Sequence, residues 1–194
     1  MTDDPLPASP EALAFLLRRR SHPPATLREP APDRAQLQTL LTAAARVPDH
    51  GKLEPWRFIV IEGEARLRLA DLARATADRL GMAPEKAAKG IAALTDTPLI
   101  VAVIASPKVS DKIPLIEQTL SAGAVCLSLV NAALASGFGA CWLTGWAATD
   151  ADFAAEGLGL APHEWVAGMI HLGSPSAVSP ERPRPDVAAL TTYL

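Results

Sequence analysis

"SAGAVCLSLVNAALASG", residues 121–137, decides the fold. Its positions are small or apolar almost throughout, and none is charged. A surface helix would show a polar face. This stretch shows none, which predicts a central helix covered on every side and ended by Gly137, the residue type that suits a left-handed C-cap. A sheet covers one side of a helix only. We therefore expect an α+β fold in which a partner subunit covers part of this helix.

Working outward, "PLIVAVIA" (98–105) is a short continuous apolar run, the pattern of a strand buried on both faces. "WRFIVIEG" (56–63) and "EWVAGMIHLG" (164–173) read as further strands, and "ACWLTGW" (140–146) as a short strand or extended turn. A helix starts at Ser9–Pro10 and must stop before Pro23–Pro24. Another, 33–47, is capped by Asp33 and carries Leu37, Leu40, Leu41 and Ala44 on one face. Helices are also expected over 64–81, over roughly 84–94 and over 148–160, the last capped by Thr149 or Asp150. "PDHGKLEP" (48–55) is a turn-rich loop, and "SPKVSDKIPLIEQ" (106–118) a loop leading into the central helix. Residues 1–9 read as a loose leader. Residues 10–194 read as a single domain whose proline-rich tail wraps a neighbouring chain.

The bulk numbers narrow the function. With 194 residues, 49% hydrophobic and 20% charged, the chain is globular and long enough for one real core. A net charge of −3 argues against nucleic acid as a partner. Cys126 and Cys141 sit in apolar surroundings without a Cys-x-x-Cys, which fits a reduced, cytoplasmic setting. "MTDDPLP" has the wrong charge order for a secretory signal, and no apolar stretch is expected to reach the ~18 residues of a membrane span.

Among chemical motifs, metal is excluded first. His22, His50, His163 and His171 show no ligand spacing. There is no G-x-S-x-G nucleophile elbow. "GFGACW" (137–142) lacks the last glycine of a dinucleotide fingerprint and follows a helix instead of a strand.

What remains is "LLRRRS" (16–21). Arg18–Arg20 could simply face the negative end of the first helix, at ~0.3–1 kcal/mol each. They could equally receive an anion. Arg19, Arg20 and Ser21 offer planar forks and a hydroxyl, and "ERPRPD" in the tail adds Arg182 and Arg184. Groups from opposite chain ends could close on one phosphate. "WLTG" (142–145), with Arg46 and His50 ahead of "EPW" (54–56), suits a flat, heteroatom-rich ring on a phosphorylated tail.

Taken in order, "LLRRRS", "AARVPDHGKLEPWRFIVIEG", "SAGAVCLSLVNAALASGFGACWLTG", "HLG" and "RPRPDV" resemble the nitroreductase family, in particular its short, minimal branch. The resemblance implies an intertwined homodimer with FMN at the subunit interface. It assigns Arg19, Arg20 and Ser21 to the FMN phosphate and ribityl chain, joined by Arg182 and Arg184. It brings Arg46 and His50 to the flavin from the other subunit; Lys52, standing where larger members carry Asn, would meet the pyrimidine carbonyl as a cation, and Glu54 stands where they carry Gln. Trp142, Leu143, Thr144 and Gly145 would lie along the isoalloxazine. Ala132, Ala133, Leu134, Ala135, Ser136 and Gly137 would meet the NADH or NADPH that donates electrons. The implied activity is ping-pong hydride transfer through flavin N5 to nitroaromatics, quinones or similar electron-poor small molecules. The flavin carries that chemistry, so no catalytic side chain is named. An FMN-binding protein of the same fold without turnover, whether carrier, sensor or flavin-destroying relative, is the alternative.

Overall fold

The computed structural model describes residues 7–194; residues 1–6, most of the expected leader, lie outside the described residues. Helix α1 (Pro10–Arg18) starts as expected: the Ser9 hydroxyl accepts from the Ala12 N–H and Pro10 opens the first turn. A two-residue strand β1 (Leu27–Arg28) follows, then α2 (Arg34–Ala44), held by a full capping box between Asp33 and Gln36. Strand β2 (Trp56–Glu62), α3 (Glu64–Arg79), α4 (Pro84–Asp96) and β3 (Leu99–Ala105) come next. The long α5 (Leu115–Ala135) leads to β4 (Gly139–Leu143), the short α6 (Gly145–Ala148), α7 (Ala151–Leu158) and β5 (Trp165–Pro175).

Strands β2, β3, β5 and β4 form one antiparallel sheet in that spatial order, and β1 pairs with the far end of β5. Strand β3 explains why the sheet is covered on both sides. Successive side chains point to opposite faces. Ile100, Ala102 and Ile104 enter one core with α3, α4, α6 and α7, whereas Leu99, Val101 and Val103 enter a second with α2 and α5. Every residue of β3 is buried. The same alternation on β5 sends Ile170 and Leu172 toward α5, and Met169 into the opposite core.

Two expectations need correction. The central helix begins at Leu115, two turns earlier than read, because Pro114 serves as its N-cap. With those turns it is long and apolar enough to cross a membrane by length and composition, contrary to the expectation that no stretch reaches that length. It is nonetheless a core helix: Val125, Cys126, Leu129, Val130 and Ala133 pack in the second core. One protomer leaves part of it uncovered, as expected. Ile116, Leu120 and Leu127 form an exposed stripe down its other face.

Candidate functional site

The arginine cluster divides at the end of α1. Arg18 closes the helix, its Nε donating to the Ala14 carbonyl at 3.3 Å, so the capping reading holds for this residue. Arg19 has already left helical geometry. Its Nη2 donates to Ser21 Oγ at 3.2 Å. The segment is pinned to the sheet by the His22 N–H, which donates to the Ala140 carbonyl on β4 at 2.9 Å.

The tail returns to this segment. Ser179 Oγ donates to the Ser21 carbonyl at 2.8 Å. Two residues on, Glu181 Oε1 accepts from Arg20 Nη1 at 3.3 Å and from Arg184 Nη2 at 2.8 Å. Arg19, Arg20 and Arg184 thus share one small volume with a single carboxylate. Burial, then the neighbouring Arg184 and Arg20 charges, push the Arg19 guanidinium below its ordinary value. Glu181 is held below the usual carboxylate range, first by the Arg182 N–H and then by the charges of Arg184 and Arg20. The Nε atoms of Arg19 and Arg20 are buried without an acceptor. A buried donor left unpaired costs stability, and an anion is the kind of partner these spare N–H groups could take. Arg182 meets the cluster through its backbone N–H to Glu181 Oε1.

Pro23 and Pro24, which follow the cradle in the chain, line a cavity of about 620 Å³. Trp142, Leu143, Thr144 and Gly145 line it, together with Trp146, Phe153, Met169 and the inner face of α4. The Trp142 indole lies over Gly168, where a Cβ would come within 2.3 Å of Nε1, and that Nε1 donates to the Ala167 carbonyl at 3.2 Å. His171 sits in the cavity wall, 2% exposed, its Nδ1 3.1 Å from Thr97 Oγ1. Burial lowers His171 to about 4, so the imidazole is neutral near pH 7.

Arg46, His50 and Lys52 belong to a separate surface of the same protomer. Their loop is strained: Gly51, Lys52 and Glu54 all have positive φ, at 72°, 55° and 47°. Asp49 holds it, accepting from the Leu53 and Glu54 N–H groups, and Ser121 Oγ on α5 donates to the Pro48 carbonyl. His50 Nδ1 lies 2.6 Å from Glu117 Oε2, also on α5. None of these three residues lines the cavity or touches the arginine cradle among the described residues. Ala132–Gly137, the expected NAD(P)H segment, spans the end of α5 and the turn after it; Ala133 is core, and the segment does not line the cavity.

Sequence reasoning missed Glu181, His171, Lys86 and Lys89. Glu181 lies 161 positions from Arg20 and carries no local signal. Lys86 and Lys89 carry no local signal beyond their place in an expected helix. His171 was weighed only as a metal ligand, although its place in a period-2 strand next to Met169 pointed at the same wall.

The fold and site together define an α+β protein with an electropositive arginine cradle and a largely apolar cavity. Its family is also clear, for the nitroreductase family model matches residues 16–174, and the chain belongs to that family, whose members are oxidoreductases. It is 36% identical over 184 residues to "Putative NAD(P)H nitroreductase YdjA" of Escherichia coli (strain K12), covering 94% of this chain and 99% of that one. A crystal structure of a nitroreductase-like family protein from Bacillus cereus superposes with a TM-score of 0.81 at 21% identity, covering 98% of this chain and 99% of the other. A Desulfovibrio desulfuricans family member, solved in complex with FMN, superposes with a TM-score of 0.73 at 20% identity, covering 96% and 99%.

Proposed function

We propose that this chain is an FMN-dependent NAD(P)H oxidoreductase that reduces nitroaromatics, quinones and similar electron-poor molecules in the cytoplasm. The observation that carries the reading is the convergence of Arg19, Arg20 and Arg184 on one point, with two buried Nε donors unpaired, together with a largely apolar cavity of about 620 Å³. That geometry fits FMN, a planar tricycle with a phosphate at the end of a flexible chain. When bound, FMN accepts a hydride from NAD(P)H and returns two electrons to the acceptor.

The chain's residues do the rest. Arg19, Ser21 and Arg184 hold the phosphate, with Arg182 near enough along the tail to add a fourth donor. The 142–145 segment lies along the ring and offers backbone N–H groups to its polar edge. Walls of Leu143, Phe153 and Met169 exclude water. No side-chain base is assigned.

A homodimer completes the reading. The exposed stripe Ile116, Leu120 and Leu127 on α5, with Leu13, Leu16 and Leu17 on α1, is more apolar surface than an isolated protomer ordinarily leaves in water. Pairing through α5 supplies the missing cover, and Arg46, His50 and Lys52 of the partner subunit then reach the flavin. Within residues 10–194, a single domain, the tail beyond Pro185 supports such wrapping, with Val187, Leu190 and Tyr193 exposed.

The test is anaerobic oxidation of NADH or NADPH by the FMN-loaded protein. A nitroaromatic or quinone should accelerate it, with parallel-line ping-pong kinetics. Flavin bound without acceptor-dependent turnover would instead support the carrier or sensor alternative.

A further inference from the structure

We propose that the cavity between α4 and residues 143–148 selects electron-accepting arenes bearing an anionic substituent, a carboxylate foremost. The inference rests on the oxidoreductase reading and names the substrate class of that same site.

Helix α4 presents one stripe to the cavity. Lys86, Lys89, Gly90 and Ala93, spaced i, i+3, i+4 and i+7, all line it. Gly90 fixes that orientation. A Cβ there would lie 2.2 Å from Trp146 Nε1, so only glycine lets the helix seat this close to the indole. The lysine-bearing face is therefore committed to the cavity.

Three donors at this end are unspent. Among the described residues no ion pair includes Lys86 or Lys89. Trp146 Nε1 is buried without an acceptor. Two exposed lysines one turn apart on the lining, with the Trp146 indole seated against Gly90 between them and the wall, suit carboxylate oxygens. Asp96, also on the lining, lies about 10 Å further along the helix axis from Lys89 and repels an anion at that end. The remaining wall is aromatic and aliphatic, suited to the ring that carries the charge. The substituent thus orients the acceptor and takes no part in the redox step. In that step a nitroarene takes two electrons and one proton as hydride from NAD(P)H, and a second proton from solvent. One N–O bond breaks, and nitrosoarene and water leave.

The experiment compares p-nitrobenzoate with the neutral p-nitrobenzamide as acceptors of the FMN-loaded protein, for wild type and for Lys86→Gln/Lys89→Gln. The double substitution is expected to lower kcat/KM for the carboxylate about fivefold, the scale of exposed ion pairs. It should leave the amide and the NAD(P)H KM unchanged. Salt should weaken the carboxylate in wild type only. Equal loss with both acceptors, no loss with either, or a loss confined to NADPH would overturn the proposal.

A second readout needs no turnover. Benzoate titrated into the purified full chain should quench tryptophan fluorescence saturably, and more weakly in the double variant. Benzamide should show no such difference. If the protein binds no flavin and oxidises no NAD(P)H, the oxidoreductase reading fails. The benzoate titration then still decides whether the cavity prefers anions, and equal benzoate binding by both proteins overturns the proposal.

Discussion

Arg20 and Glu181 are 161 positions apart in the chain, yet Arg20 Nη1 meets Glu181 Oε1 at 3.3 Å. The contact brings the two chain ends together over the anion cradle, and Arg184 strengthens it at 2.8 Å. Glu181 occupies donors that a phosphate would use. Glu181→Gln removes a competing negative charge and should tighten FMN severalfold in a fluorescence titration, an effect that shrinks with added salt. Weaker binding would show that Glu181 serves chiefly to orient the arginines.

Arg19 and Ser21 form the other side of the cradle. Arg19→Ala with Ser21→Ala deletes charge-assisted bonds of ~1.5–3 kcal/mol each, so FMN affinity should fall by at least about tenfold. Both residues are on the irregular segment after α1, so the melting temperature should barely change.

Gly168 exists to admit Trp142. An alanine Cβ would come within 2.3 Å of the indole Nε1 and 2.9 Å of Cys126 Sγ. Gly168→Ala should destabilise by about 1–3 kcal/mol through overpacking. It should also displace Trp142, seen as a shift in tryptophan emission.

The buried His171 makes stability depend on pH. Burial lowers it from the ordinary 6.5 to about 4, so the unfolded chain takes up the proton first as pH falls. Its contribution is complete above about pH 6.5 and is lost progressively toward pH 4, amounting to about 3 kcal/mol over the whole window. His22, lowered by burial as well, acts in the same direction. Denaturant unfolding across this range should show the loss, and His171→Gln should flatten it.

Glu164 controls a lower window. Arg57 grips its carboxylate with two bonds, at 2.8 Å and 2.7 Å, and chiefly for that reason it is held at about 2. This pair joins β2 to the residue before β5. Its stabilisation is present above the ordinary carboxylate value of 4.5 and fades as pH falls toward 2. Glu164→Gln should destabilise by ~1.5–3 kcal/mol at pH 7 and by much less at pH 3, measured by chemical denaturation.

How much of this was legible in the sequence follows from the range of each interaction. The Ser9 and Asp33 caps, the strand in "PLIVAVIA" and the stop at Gly81 are local effects, and reading a few neighbouring residues sufficed. The arginines at both ends could be paired on paper because their chemistry is distinctive. Glu181 could not, since only the folded tail brings it there. Strand β1 and helix α6 are too short to show a period. The start of α5 was misplaced because "LIEQTL" mixes polar and apolar residues, and Gln118 turns inward to bond Lys108 and Ile113 instead of marking a surface. Lys86 and Lys89 became interesting only once Gly90 and Trp146 fixed the rotation of α4.

The central claim is that the two chain ends grip the phosphate of a flavin nucleotide. The most direct measurement is the visible spectrum of the purified protein after incubation with FMN and dialysis, followed by mass identification of whatever heating releases. A yellow protein that retains one FMN per protomer and discriminates against riboflavin, which lacks the phosphate, is the expected result. A colourless protein after dialysis, or one that holds riboflavin as tightly as FMN, would contradict it.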